Sequence, residues 1–149
     1  MQMNKSNLIE IKHISSSETH LIRKEVLWPH ICNNNYSLPI DNKKETFHLG
    51  TFVNNDLVSI GTFLPDFNTA FSKKNQYRLR AMATKKKYAG NGYGTKLFLF
   101  AISILIRKKV ELLWCDARIV AIPFYKKLNM QSLDKTYDIK DIGLHQTMY

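Results

Sequence analysis

Apolar and polar residues alternate from Leu8 to Ile14, the period of a half-buried strand. From Glu18 to Trp28 the spacing changes: Leu21, Ile22, Val26 and Leu27 recur at helical intervals, Ser15, Ser16 and Ser17 offer N-caps, and Pro29 ends the run. Ile31 to Thr46 carries three consecutive asparagines, Pro39 and the charged stretch D-N-K-K-E, which predicts a long loop with room for a short helix and a place for substrate contacts. Thr46 to Val53 and Leu57 to Leu64 are β-rich, and Asn54, Asn55 and Asp56 between them make a hairpin turn. Pro65 closes the second of these strands, and a polar loop from Asp66 to Asn75 follows. Beyond it a strand leads into Tyr88 to Thr95, an apolar helical run follows, and Val110 to Cys115 is strand-like. A helix over Val120 to Leu128 and strands at Ser132 to Tyr137 and Gly143 to Tyr149, around the turn D-I-K-D, complete the chain. The order is strand, helix, loop, three strands, helix, strand, helix, two strands, a mixed α/β (α+β) fold with a twisted, mostly antiparallel central sheet and flanking helices.

Composition narrows the picture. A chain of 149 residues, 44% of them hydrophobic, fits one domain over residues 1–149 with a sizeable core. The longest apolar stretch, Leu97 to Ile106, is interrupted only by Ser103 and is too short to cross a bilayer, so it is expected to be a core helix. No charged-then-apolar leader with a cleavage site appears, and Cys32 and Cys115 are two thiols far apart in sequence; both features suit a cytoplasmic protein. The net charge of +10 names no partner by itself, because Lys, Asn and Ile are abundant throughout. A basic surface could steer nucleic acid, acidic peptides or a phosphate-rich cofactor. The cluster Lys85, Lys86 and Lys87 reads either as a solvated turn or as phosphate contacts.

The chemistry concentrates at Tyr88 to Thr95, Y-A-G-N-G-Y-G-T, after a strand and before an apolar helical run. Glycine reaches positive φ at little cost and lets backbone N–H groups approach a ligand, while a helix N-terminus adds unpaired donors and partial positive charge. The turn suits a pyrophosphate. It is not a P-loop, having no G-x-x-x-x-G-K-[ST]. It is a poor dinucleotide fingerprint too, because Glu111 stands near the beginning of the next apolar run instead of closing a strand.

This segment resembles motif A of the GCN5-related N-acetyltransferases (GNAT), in which a strand, a Q/R-x-x-G-x-G/A loop and a helix bind acetyl-coenzyme A. Leu79 to Thr84 stands for the fourth strand, Ala89 to Gly94 for the loop and Thr95 to Lys108 for the helix. Asp116 to Met130, D-A-R-I-V-A-I-P-F-Y-K-K-L-N-M, is similar to the family's A-x-x-F-Y-x-K-L-G-F ending. The likeness runs from about Leu57 to the C-terminus. Ala89 replaces the family's Gln or Arg, leaving a backbone N–H but no side-chain contact; Arg118 replaces its Asn, and Asn129 and Met130 its Gly-Phe. Asn tolerates the left-handed conformation that a helix end needs.

The resemblance implies that the fourth and fifth strands run parallel and splay apart around the pantetheine arm. It implies acetyl-coenzyme A as co-substrate, no metal, and cofactor contacts from Met82, Ala83, Thr84, Ala89, Gly90, Asn91, Gly92, Tyr93, Gly94, Thr95, Arg118 and Phe124. Backbone N–H groups of Met82 to Thr84 are candidates for the carbonyl oxyanion, because a strand whose neighbour departs has unpaired donors. Tyr125 aligns with the family's acid for the departing thiolate; otherwise it is a helix aromatic beside Phe124. The base is open among Asp116, His48, His145, a water, and an amine already neutral, since the fourth strand carries Arg78 and Arg80 and no acid. Cys115 invites a covalent acetyl-enzyme, yet a strand cysteine is usually packing. The expected activity is acetyl transfer to a small amine, a peptide N-terminus or a lysine, by a monomer or homodimer. The alternative is a basic binding module that keeps the fold without turnover and contacts nucleic acid or an acidic partner.

Overall fold

The computed structural model describes residues 6–149. Seven strands, β1 (Ile9–Ile14), β2 (Phe47–Val53), β3 (Asp56–Pro65), β4 (Gln76–Thr84), β5 (Leu112–Arg118), β6 (Ser132–Ile139) and β7 (Gly143–Met148), form a sheet in the order β1-β2-β3-β4-β5-β7-β6. Every neighbouring pair is antiparallel except β4 and β5, which run parallel. The β2–β3 turn forms as the asparagines imply, with Asn54 at φ 49 and Asn55 at φ 69.

The helices cover both faces. On one, α2 (Tyr93–Arg107) and the short α3 (Ile122–Lys127) bury Leu97, Phe98, Ala101, Ile104 and Leu105 against Leu49, Phe63, Leu79 and Cys115. Only one side of α2 is core: Leu99 is 57% and Ile106 68% exposed, although the run from Leu97 reads as apolar throughout. On the other face lies α1, which changes geometry along its length, from 3-10 over Ser17–Thr19 through α over His20–Ile22 to π over Arg23–Leu27. Ile22 packs there with Ile14, Ile60 and Ala83. Ser15 and Glu18 begin the helix as a reciprocal pair: the Glu18 N–H donates to Ser15 Oγ at 3.3 Å, and the Ser15 N–H to Glu18 Oε2 at 2.6 Å. Among the described residues no helix is long and apolar enough to cross a membrane.

Several boundaries differ from the sequence reading, each for a local reason. β4 begins at Gln76, three residues before Leu79. β5 begins at Leu112 because Val110 belongs to the end of α2: Lys109 turns left-handed at φ 57 and the Val110 N–H caps Leu105 O at 3.0 Å. The helix expected over Val120 to Leu128 opens as a 3-10 turn, Ile119–Ala121, with Pro123 in the first turn of α3. Asn129 does take the left-handed conformation, φ 65, after α3. No helix forms between Ile31 and Thr46; that loop is held by Asp41, which is buried.

Candidate active site

The site begins as a failure of strand pairing. β5 pairs with β4 only where Gln76, Tyr77 and Arg78 meet Leu112, Leu113 and Trp114, and from Cys115 onward β5 turns to β7. The two parallel strands therefore separate beyond Arg78.

On its other side β4 carries a bulge. Lys85 N donates to Val58 O at 2.8 Å, so Ile60 and Ala83, two steps along, form the next hydrogen-bonded pair. Asp66 N donates to Gln76 O, and the same alternation pairs Thr62 with Arg80. Gly61 alone then opposes both Ala81 and Met82, with Ala81 left-handed at φ 52. The consequence is chemical: the backbone of Met82 is committed neither to β3 nor to β5. Ala83, in contrast, is bonded into β3, which corrects the expectation that its N–H faces the gap. Thr84 Oγ1 bonds Ser59 Oγ at 2.9 Å.

Between the separating strands lies a cavity of about 340 Å³, lined by Met82, Cys115, Asp116, Arg118, Tyr125 and His145 among others. Tyr125 is buried, 5.1 Å from Phe124 between ring centroids, and burial, then the neighbouring Cys115, raises its phenol well above the ordinary value. It holds its proton at neutral pH. Burial, then the Asp116 charge, pushes the Cys115 thiol up to about 12, so it too stays protonated and is no nucleophile.

The candidate bases separate by their partners. His48 does not line the cavity; its Nε2–H donates to Asp41 O at 3.0 Å and its Nδ1 accepts from Thr62 Oγ1 at 2.8 Å, so both nitrogens serve structure. Asp116 receives Arg78 on Oδ2 and the Tyr137 hydroxyl on Oδ1. His145 lines the cavity, stacks on Tyr137, and donates from Nδ1 to Gly143 O at 2.7 Å. Among the described residues its Nε2 has no protein partner.

The glycine turn stands at the C-terminal end of β4. Gly90 (φ 79) and Gly92 (φ 80) are both left-handed, and a Cβ on either would meet no atom within 4 Å, so glycine is required by backbone conformation. The first helical bond of α2 runs from Lys96 N to Gly92 O, and among the described residues no backbone N–H from Gly90 to Thr95 has an acceptor. These are the unpaired donors that an anion needs. Ala89 is not one of them: its N–H donates to Lys86 O at 3.2 Å, which corrects the expectation that it is available. Asn91 braces the turn from within, donating to Tyr88 O, while Tyr93 is buried in a cluster with Val53 and Val58.

Gly94 marks where three elements converge, since a Cβ there would lie 3.3 to 3.6 Å from Thr84 Oγ1, Met82 Cε and Phe124 Cε2. Lys85 leaves the basic cluster: it pairs with Asp56 at 2.9 Å, and Tyr88 bonds the same carboxylate. Lys85, Lys86 and Lys87 line a second cavity with Glu25 and Val26. Arg118 turns toward α1, donating to Leu27 O at 3.0 Å. That oxygen is available because α1 ends at Leu27, so no later helical N–H reaches it.

The sequence profile of the Acetyltransferase (GNAT) family matches residues 10–130. The chain belongs to this family. The N-acetyltransferase YitI of Bacillus subtilis (strain 168) is 34% identical over 142 residues, 95% of either chain. Among solved structures, an acyl-CoA N-acyltransferase from Pseudomonas aeruginosa superposes with a TM-score of 0.73 at 18% identity, covering 96% of this chain and 98% of that one. The PaiA N-acetyltransferase of Thermoplasma acidophilum, in complex with coenzyme A, superposes with a TM-score of 0.63 at 18% identity, covering 95% and 99%. This GNAT chain is an acyltransferase, and its splayed parallel strands are those of the acyl-CoA N-acyltransferase fold.

Proposed function

We propose that this GNAT protein transfers the acetyl group of acetyl-coenzyme A directly to an amine nitrogen. The observation that carries the reading is the continuity of β4, glycine turn and α2: one stretch of chain supplies an unpaired strand backbone at Met82 and, at its end, the unpaired amides of Gly90 to Thr95. The residues present fit the cofactor. The turn amides and the N-terminus of α2 would hold the pyrophosphate, and the gap between β4 and β5 would take the arm. Acetyl-coenzyme A supplies an activated acyl group. The coenzyme in the PaiA structure supports the same assignment.

The chain's own residues divide the work. Met82 N–H, on a bulged strand with no pairing partner, would donate to the carbonyl oxygen as charge develops there. His145, its Nδ1–H fixed by Gly143 O, would offer Nε2 to the proton that the amine loses. Tyr125 would return a proton to the departing sulfur. Its raised phenol value is compatible with that step, because the burial that disfavours phenolate also disfavours a bare thiolate beside it. The reading takes the chain as one catalytic domain in the cytoplasm, where Cys32 and Cys115 stay reduced. A non-catalytic, nucleic-acid-binding reading gains no support from the family match.

The test is an amine panel with acetyl-coenzyme A, reading released thiol and the mass of the acetylated product. Thiol release that depends on an amine is expected. No release with any amine class, together with no melting shift from coenzyme A, overturns the proposal.

A further inference from the structure

The acceptor side of the cavity carries a charge imbalance that the transfer chemistry does not use. This inference rests on the acetyl-transfer reading and narrows its acceptor. Three guanidinium groups, Arg78, Arg80 and Arg118, line the cavity against one carboxylate, Asp116, an excess of two positive charges. Two of the three are occupied. Arg78 pairs with Asp66 at 3.2 Å and with Asp116, and lies 4.7 Å from the centroid of the Trp114 ring. Arg118 donates to Leu27 O.

Arg80 is different. It is half-buried, and among the described residues none of its side-chain N–H groups has an acceptor and no carboxylate is within ion-pair distance. Arg23 is no relief, being a like charge spent on Asp41. Burial, then Arg78, push the Arg80 guanidinium below its ordinary proton affinity. A fork of five donors that lines the cavity without a protein acceptor is a place where an anion gains charge-assisted bonds. Beside it the cavity wall is apolar: Val26, Leu27 and Trp28 come from the end of α1, Val120 from the turn before α3, and Ile139 and Ile142 from the β6–β7 turn. Val120 is 87% exposed and Ile142 43%, apolar surface that nothing in the fold covers.

We propose that the acceptor is a free amino acid with an apolar side chain, its carboxylate bound by Arg80 and its side chain laid against this wall. Arg80 and Met82 stand two residues apart on β4, across the Ala81 bulge, and both line the cavity, so a carboxylate at one and an amine near the other are separated as in one small molecule. A lysine side chain or a peptide N-terminus brings no carboxylate at that separation. A polycationic amine meets two like charges in excess. The nitrogen–carbon bond forms as the carbon–sulfur bond breaks, the base takes the amine proton, the sulfur gains one, and N-acetyl amino acid and coenzyme A leave.

The experiment compares kcat/KM for leucine, leucinamide, isoamylamine, phosphoethanolamine and spermidine at saturating acetyl-coenzyme A. Leucine is expected to exceed leucinamide roughly 10- to 100-fold, the range for a charge-assisted bond. Arg80→Gln should bring that ratio toward one, mainly through KM, while coenzyme A still raises the melting temperature of the variant and so shows it folded. Arg80→Lys is the second variant should Arg80→Gln not fold. Leucinamide or spermidine equal to leucine, or a ratio unmoved in the variant, overturns the inference; phosphoethanolamine ahead of leucine overturns it too, in favour of a phosphate. Should no amine turn over while coenzyme A binds, acetyl transfer fails by itself and a carboxylate probe decides Arg80. Saturable quenching of tryptophan fluorescence by 4-methylvalerate, lost in Arg80→Gln, upholds the anion site, and no saturable response overturns it.

Discussion

Ala81 holds a conformation that ordinarily belongs to glycine, at a cost on the order of 1 kcal/mol, and the bulge it makes is what frees Met82 from β3. Nothing in L-R-A-M-A-T announces this, because alanine is not a turn residue and a bulge depends on what the neighbouring strand does. The glycine turn was legible for the opposite reason: Gly90 and Gly92 carry their left-handed geometry in their residue type. Gly92→Val should therefore leave a folded protein whose melting temperature no longer responds to coenzyme A, since a β-branched residue resists φ near 80 and would sit where the phosphates come. A normal response would reduce the loop to a plain turn. Tyr125→Phe deletes one hydroxyl and keeps the ring against Phe124, so packing should survive. If Tyr125 supplies the thiolate's proton, turnover should fall roughly 10²- to 10⁴-fold with little change in cofactor affinity. Turnover within twofold of the parent, where chemistry limits the rate, would assign the proton to another group.

At the scale of elements, the least legible part of the chain was α1 with the loop behind it. Arg23 sits in the helical run as a polar residue, outside the apolar positions Leu21, Ile22, Val26 and Leu27, yet it is fully buried while Leu21 is exposed. Its partner is far along the chain and invisible to periodicity. Arg23 Nη1 and Nη2 grip Asp41 at 2.7 and 2.8 Å, Nη1 also reaches Tyr36 O, and Nη2 reaches Thr62 Oγ1, which donates in turn to His48. Burial alone would raise the Asp41 carboxyl, but the bonds from Arg23 and the Leu38 N–H outweigh it and hold it below its ordinary value. Asp41→Ala leaves the guanidinium buried and unpaired, and should cost about 3 to 5 kcal/mol in a denaturant titration. The pH dependence follows from His48, whose proton affinity is lowered by burial. Its folded value lies below the unfolded one, near 6.5, so the unfolded chain gains the proton first; stability present above about pH 6.5 is lost as pH falls toward the folded value. His48→Gln should flatten melting temperature against pH between about 7 and 5. An unchanged slope would mean that other groups carry it.

The whole molecule is two sheet segments joined at a narrow seam. β1 to β4 form one, β5, β7 and β6 the other, and their shared register is limited to Gln76–Arg78 against Leu112–Trp114. The element order that implies this architecture could be read from hydrophobic spacing, because strands and helices of this chain bury one face each. The insertion of β7 between β5 and β6 could not, since strand order depends on long-range pairing. A ligand occupying the gap bridges both segments and binds only when they are assembled, so it stabilises the folded state as a whole. At about a hundred times its dissociation constant, acetyl-coenzyme A should add roughly 2.7 kcal/mol. For a chain of this length that corresponds to a rise in melting temperature of about 5 to 10 °C. Adenine nucleotides, which reach the glycine turn but not the gap, should give less at equal concentration. Hydrogen exchange locates the effect: amides of Met82 and Thr84 and of Cys115 to Ala117 should slow along with those of Gly90 to Thr95. Slowing confined to the glycine turn would mean that the turn binds phosphate while the seam stays open, and that the gap between β4 and β5 is not where the cofactor's arm lies.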